Sequence, residues 1–320
     1  MLYINSNDIE KIGIDWKETV NVIKNSVLSL NEGSYNQPIK PYLRYNNKNN
    51  RIIAMPAYLG GMTNMSGIKW IASFPSNTEI GLQRAHSVTI LNDSETGKPL
   101  SIFNTAMISG IRTASVSGLM IDLYDKSRTL KNVKVGIIGF GPIGQLHLQM
   151  ITSLLGEKIS KIIIFDIKEI SIDLISKYKD KLQVASSWEE AYNNADILVT
   201  CTVSSNRYIN TKPKDNSLIL NVSLRDFCSD IINFTSTIIV DDWEEVCREN
   251  TDIEMLHKKK NLQKKDTHSI IDVVCNNLFE KLSLKEPIFF NPMGMAVFDI
   301  AMATFFYRKA LSKKIGTTLE

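Results

Sequence analysis

At 320 residues, with 43% apolar and 22% charged side chains, the chain has an ordinary globular composition and length enough for two domains. Its net charge of +3 and its one basic run, "HKKKNLQKK" at 257–265, do not make the concentrated basic face of a nucleic-acid binder. That run reads as a solvated surface. No apolar run approaches the ~20 residues of a membrane span, and the first residues lack the basic-then-apolar layout of a secretory signal. Cys201, Cys228, Cys247 and Cys275 are widely spaced and the four histidines are scattered, which predicts a cytoplasmic protein with reduced thiols and no metal site.

Two helix starts open the chain. Asn7 with Glu10, and Asp15 with Glu18, each set a capping side chain three residues before an acid. The second leads into a helix whose Val20, Ile23, Val27 and Leu30 share one face. The period then changes: "KPYLRY", "RIIAMP", "SGIKWIASF" and "HSVTILND" are short, rich in β-branched and aromatic residues, and divided by turn residues. They predict a mostly antiparallel sheet, with "DSETGKP" as a hairpin turn into a further strand, "LSIFN". Residues 106–123, "AMISGIRTASVSGLMIDL", predict a helix whose Gly110, Ala114, Ser117 and Gly118 admit close backbone approach. From 133 onward strands alternate with helices, the pattern of a parallel, doubly wound sheet. At the end, "IFFNPMGMAVFDIAMATFFYRKAL" is a strand feeding a long apolar helix, predicted to pack back on the first domain or across a dimer. The resulting division is 1–130 plus 294–320 for one domain and 131–293 for the other.

Gly139, Gly141 and Gly144, with Pro142 and Ile143 between them, form GxGxxG directly after a predicted strand and at the mouth of a predicted helix. The first glycine permits the tight turn, the second lets backbone approach a pyrophosphate, and the third lets helix and strand pack closely. The helix N-terminus then offers free N–H groups to phosphate. About 20 residues further, the second strand ends in Asp166, placed to accept from both ribose hydroxyls and to repel a 2′-phosphate. NAD is therefore expected over NADP.

Arg44, Lys69, Arg84 and Arg112 sit in otherwise apolar or small-residue stretches of the first domain. A lone lysine such as Lys69 can simply snorkel to solvent. Four such cations beside a nucleotide-binding pattern instead suit a ligand with several carboxylates, which arginine holds through paired hydrogen bonds. Arg112 could also face a cofactor phosphate. For a general base, Asp226 in "NVSLRDF" follows a strand at the edge of the parallel sheet where ligands usually bind. Asp93, Asp241, Asp242 and Asp299 remain rivals, with turn-capping or surface roles as their plainer reading.

Together "PYLR" (41–44), "RIIAMP" (51–56), "SGIKW" (66–70), "IRTASVSG" (111–118), "IIGFGPIG" (137–144), "TCT" (200–202), "NVSLRD" (221–226) and "NPMGMA" (291–296) resemble the ornithine cyclodeaminase/μ-crystallin family nearly end to end. The resemblance implies a Rossmann-type α/β domain with a doubly wound parallel sheet, inserted in an α+β substrate-binding and dimerisation domain, and a homodimer. It implies that Arg44, Lys69 and Arg112 hold the substrate carboxylate, with Lys69 and Asp226 catalytic and Asp226 the acid/base. Arg84, Arg112, Thr113, Thr200, Thr202, Val222, Ser223, Met293 and Gly294 are implied to line the cofactor beside the glycine turn. The chain departs from ornithine cyclodeaminases at Ile53, where they carry a glutamate, and at "SLRDFCSD", where they carry a glycine-rich loop. With "ILNDSETGKP", "IVDDW" (239–243) and "IGTTL" (315–319), it is closer to a branch that oxidatively cleaves an amine bearing three carboxylates. A cyclodeaminase, a ketimine reductase, an alanine dehydrogenase and a non-catalytic nucleotide-binding protein are the other readings.

Overall fold

A computed structural model of the protein describes residues 1–178, 180–283 and 285–320. The chain opens with β1 (Leu2–Asn5), α1 (Ser6–Ile12), α2 (Trp16–Asn31), β2 (Tyr35–Asn36) and β3 (Tyr42–Leu43). Then come β4 (Arg51–Leu59), β5 (Met65–Ser73), β6 (Ala85–Asn92), β7 (Pro99–Asn104) and α3 (Met107–Arg128). The middle of the chain holds β8 (Val133–Ile138), α4 (Pro142–Leu155), β9 (Ile159–Phe165), α5 (Ile172–Ile175), β10 (Leu182–Val184) and α6 (Trp188–Tyr192). It continues through β11 (Ile197–Thr200), β12 (Leu218–Asn221), β13 (Thr237–Val240), α7 (Trp243–Val246) and α8 (Asp252–Lys260). The last elements are β14 (His268–Ser269), α9 (Ile270–Cys275), α10 (Leu278–Lys281), β15 (Ile288–Asn291), α11 (Ala296–Lys313) and β16 (Thr317–Thr318).

These elements form two compact units, Met1–Ser115 with Gly294–Glu320, and Val116–Met293. The first division falls inside α3 rather than at residue 130, where the helix has ended. One continuous helix serves both units: Arg112 pairs within the first, while Tyr124 donates to the Asn216 carbonyl within the second.

In the first unit the strands run in the order β16-β1-β7-β6-β5-β4-β2, with β3 also on β4. Pairing is antiparallel except between β1 and β7. Period-two alternation decides which face is buried. Met55, Lys69, Thr89 and Phe103 stand side by side in register, all buried, so Lys69 lies on the inner face among apolar neighbours. α11 packs against β4, β5 and β6 and against α1 and α2. It is buried from Ala296 to Thr304, which is why its sequence carries so few charges. The first helix starts two residues before the Asn7 expected from sequence. Asn5, the last residue of β1, makes a capping box with Asp8, so the pairing of β1 with β7 sets where the helix can begin.

In the second unit the order is β10-β9-β8-β11-β12-β15-β13-β14 and every pair is parallel. The chain direction of strand addition reverses between β8 and β11, the switch point at which open α/β sheets leave a crevice beyond their carboxyl ends. β8, β11, β12 and β15 are apolar and almost wholly buried, as strands covered on both faces must be. Among the described residues no helix is long and apolar enough to cross a membrane.

Candidate active site

Two clusters of buried polar groups and one glycine turn carry the chemistry. In the first unit, Lys69 of β5 donates to Asp299 Oδ2 at 2.7 Å and to Ser109 Oγ at 3.2 Å. Arg112 of α3 donates from Nε to Asp299 Oδ1 at 3.0 Å. Asp299 comes from α11 and is completely buried. Lys40, also buried, donates to the Gly294 carbonyl at 2.8 Å. Two cations therefore share one carboxylate, and Lys40 is near enough for its charge to act on Lys69. Burial lowers the Lys69 pKa from 10.5 to about 8; Asp299 opposes this, while the charges of Arg112 and Lys40 add to it. For Asp299, burial alone would raise the pKa, but Arg112 and Lys69 together hold it below the ordinary carboxylate range. Gly294, at φ +88°, lies against Arg112: a Cβ there would come within 2.6 Å of Nη1. Only glycine leaves the guanidinium its place.

The turn after β8 is built as its glycines require. Gly139 has φ +90°, and a Cβ on it would lie 2.6 Å from the Cys201 carbonyl carbon, so the ends of β8 and β11 meet there. A Cβ on Gly144 would lie 2.2 Å from the Gly139 carbonyl oxygen, while Gly141 faces open space. Gly141 is the N-cap of α4, with Pro142 following, and offers no side chain to the first N–H groups of that helix. Asp166, at the end of β9, accepts from the Phe140 N–H at 2.6 Å and the Lys168 N–H at 2.9 Å. An open approach at a helix N-terminus, a switch point and an acid at the second strand end fit a dinucleotide pyrophosphate and ribose. His147 of α4 is no acid/base here. Burial lowers its pKa to about 4, and it bonds the Ile143 carbonyl and Ser117.

The second cluster lies beyond β11 and β12. Asp226 is fully buried. Its Oδ1 accepts from Thr202 at 2.5 Å, and its Oδ2 contacts the Ser223 hydroxyl. Burial is the largest influence on its pKa and raises it above the ordinary carboxylate value. Ser223 in turn reaches Thr200 at 2.8 Å, and Thr200 reaches Asn221 at 3.1 Å.

Of the remaining expected site residues, Arg44 is exposed, with its guanidinium 4.9 Å from the Tyr42 ring centre. Arg84 is half-buried before β6. Thr113 donates to the Ser109 carbonyl one helical turn back, Val222 N–H donates to the Leu220 carbonyl, and Met293 N–H donates to Asp241. The rivals of Asp226 separate cleanly. Asp93 caps its hairpin turn and Asp242 caps α7. Asp299 has neither the capping nor the surface role expected of it. It lies on the N-terminal half of α11, which is buried from Ala296 to Thr304, and bonds both Lys69 and Arg112. Asp299 and Lys40 are the residues that sequence reasoning undervalued. The signal that singled out Lys69, one charge in an apolar stretch, is equally present in "VFDIAMATFF" and "PIKPY".

Residues 5–314 match the ornithine cyclodeaminase/mu-crystallin family. The chain belongs to this family. It is 32% identical to N-((2S)-2-amino-2-carboxyethyl)-L-glutamate dehydrogenase of Staphylococcus aureus, over 100% of this chain and 98% of the relative. Among solved structures it resembles the Δ(1)-pyrroline-2-carboxylate reductase of Thermococcus litoralis in complex with NADH and L-proline. That likeness has a TM-score of 0.88 and 25% identity, and covers 100% of both chains. An archaeal alanine dehydrogenase dimer with bound NAD gives a TM-score of 0.86 at 25% identity, covering 100% of this chain and 99% of that one. These relatives share the α/β architecture with its parallel, Rossmann-type sheet.

Proposed function

We propose that the protein is an NAD-dependent dehydrogenase that oxidatively cleaves N-(2-amino-2-carboxyethyl)-L-glutamate to 2,3-diaminopropionate and 2-oxoglutarate. The observation that carries this reading is the charge imbalance around Asp299. Lys69 and Arg112, both buried, share the carboxylate of Asp299. Two buried cations on one carboxylate are short of negative charge, and a substrate with three carboxylates would supply it. The similarity to the Staphylococcus aureus dehydrogenase supports the same substrate. Asp166 favours NAD, whose 2′-hydroxyl it can accept from, over NADP.

In this mechanism Lys69 and Arg112, with Lys40 and Arg44, bind and orient the substrate carboxylates. NAD, held by the turn at 139–144 and Asp166, would supply the hydride acceptor for the glutamate Cα. The amine must be neutral before hydride can leave; the ionised form of Asp226 takes the nitrogen's proton, and its raised pKa makes that form the stronger base. After releasing that proton to solvent, Asp226 takes a proton from the water that adds to the imine carbon and passes it to the departing nitrogen. The balance is amine, NAD⁺ and water giving 2-oxoglutarate, 2,3-diaminopropionate, NADH and one proton. Orientation by the cations can contribute on the order of 7 kcal/mol to the lowered barrier at best. The 2,3-diaminopropionate would supply siderophore or nonribosomal peptide assembly in the cytoplasm, where the four free cysteines stay reduced.

A homodimer is part of the proposal. The sheet face opposite α11 presents Ala54, Trp70 and Val88 in one row and Pro56, Ile68, Ile90 and Ile102 in the next. Trp70 is 44% exposed. An apolar face of this kind suits a second copy.

The test is incubation with NAD and each candidate amino acid while NADH absorbance is followed and 2,3-diaminopropionate is identified by mass spectrometry. Turnover of the aminocarboxyethyl-glutamate alone is expected. Turnover of ornithine or alanine without it would overturn the substrate assignment.

A further inference from the structure

We infer that Asn221, Thr200 and Ser223 form a one-way hydrogen-bond chain that keeps a proton on Asp226 Oδ2, which makes them positioning residues for its acid–base work. The inference rests on the reading of Asp226 as the acid/base, and it explains what sets that group's resting state.

The chain's direction follows from groups whose role cannot change. The Leu224 N–H can only donate, and it lies 3.1 Å from Asn221 Oδ1. That contact fixes the amide, so Nδ2 faces Asp252 Oδ2 at 3.0 Å and Asn291 Oδ1 at 2.8 Å. Asn291 is fixed in the same way, donating from Nδ2 to the Phe289 carbonyl at 3.1 Å. Asp252 is held as an acceptor by Arg207 Nε at 2.7 Å and by the Phe227 N–H at 3.2 Å. Asn221 therefore presents only lone pairs to Thr200.

Between Thr200 Oγ1 and Asn221 Oδ1 the one available hydrogen belongs to the hydroxyl, so Thr200 donates to Asn221. With that hydrogen committed, the 2.8 Å contact between Ser223 and Thr200 needs the hydrogen of Ser223. The Ser223 oxygen then faces Asp226 Oδ2 with lone pairs only, and that contact is a hydrogen bond when the carboxyl carries the proton. On the other oxygen, the Ser204 N–H donates to Thr202 at 3.2 Å, leaving the Thr202 hydrogen for Asp226 Oδ1. The protonated acid thus satisfies every member. Ionisation makes Ser223 turn its hydrogen back to the carboxylate, and the Ser223–Thr200 or the Thr200–Asn221 contact loses its hydrogen. Burial works in the same direction. The charged or titratable groups that act on Asp226 or on this network are Arg225, Tyr208, Cys201 and the Arg207–Asp252 pair. Leu224, at φ +63° in the left-handed region, is strained so that its N–H reaches Asn221.

The experiment is a carbon-13 NMR titration of the full-length protein with aspartate labelled at Cγ, the Asp226 signal being assigned with Asp226→Asn. In the wild type the Asp226 midpoint is expected well above the ordinary carboxylate value; a midpoint at or below that value overturns the proposal. Thr200→Val frees the Ser223 hydrogen for the carboxylate, so the midpoint should fall by about one unit. Were Thr200 merely one more donor to Asp226, the same substitution would raise the midpoint or leave it in place, and either result overturns the chain. Thr200→Ser keeps the hydroxyl and should restore the wild-type curve. The readout needs no turnover, so failure of the catalytic assignment, seen as normal turnover by Asp226→Asn, is distinct from failure of this inference.

Discussion

Replacing Asp299 by asparagine tests the cation cluster where its energetics can be worked through. The substitution keeps the volume of the side chain and removes the anion that Lys69 and Arg112 both contact. Breaking a buried pair from one side ordinarily costs about 3–5 kcal/mol. Here the two partners respond differently. Arginine cannot shed its proton, so the Arg112 share of the loss, about 1.5–3 kcal/mol for a hydrogen bond to a charged group, is the same at any working pH. Lys69 can escape by deprotonating. Its pKa is already down to about 8, so neutralising it at pH 7 costs about one unit, or about 1.4 kcal/mol. That figure caps the Lys69 share at pH 7, and by pH 9 wild-type Lys69 is itself mostly neutral and the share vanishes. The sign agrees with linkage. A lysine with a depressed folded pKa binds fewer protons folded than unfolded between about 8 and 10.5, so stability rises with pH there. In the variant that rise begins at lower pH. Urea unfolding of wild type and Asp299→Asn, followed by fluorescence at pH 7 and pH 9, should give a loss about 1 kcal/mol larger at the lower pH. A loss that is equal at both pH values, or larger at pH 9, would refute the account.

Three further outcomes are expected. Gly139→Ala puts a Cβ 2.6 Å from the Cys201 backbone at φ +90°, so NADH titrated by fluorescence should bind at least about tenfold more weakly, a change of ~1.4 kcal/mol. Gly294→Ala drives Arg112 aside, so KM for the carboxylate substrate should rise roughly tenfold, again ~1.4 kcal/mol. A carboxylate ligand needs Lys69 as the ammonium, so 2-oxoglutarate should bind with proton uptake above the Lys69 midpoint of about 8, and its affinity should fall as pH rises further. Calorimetry in buffers of different ionisation enthalpy measures that uptake.

What was legible in the sequence was local. Gly139 and Gly144 are five residues apart and their turn is dictated by that spacing; Asp166 follows at the end of the next strand. Long strands such as β4 and β5 declare themselves by composition and alternation. The parts that were not legible depend on pairing across the chain. Lys69 and Asp299 are 230 positions apart, and nothing near either residue names the other. β16 spans two residues, and it exists because it pairs with β1. The partners of Asp226 come from the ends of β11 and β12, which register brings side by side: Thr200 stands opposite Asn221. Sequence could single out Asp226, but which hydroxyl faces which oxygen is a property of that register.

The second unit contains its own control for what a purely structural buried charge looks like. Arg207 and Asp252 make one cation and one anion, 2.7 Å apart, with Asn221 and the Phe227 N–H satisfying the remaining lone pairs. That arrangement is balanced and leaves nothing for a ligand to do. The group around Asp299 has the same kind of contact at the same distance, yet divides one carboxylate between two cations, and Lys69, its pKa lowered chiefly by burial, holds its proton loosely. Asp226 departs from balance in the opposite sense, a buried acid whose contacts are hydroxyls rather than a paired cation. A fold selected for stability alone would have balanced both groups as it balanced Arg207 with Asp252, since a buried ionisable group short of an opposite charge is costly whether it stays charged or shifts its protonation. The two imbalances are complementary to what an anionic amine brings, negative charge for one and a transferable proton for the other, and that correspondence argues for catalysis over a nucleotide-binding role without chemistry.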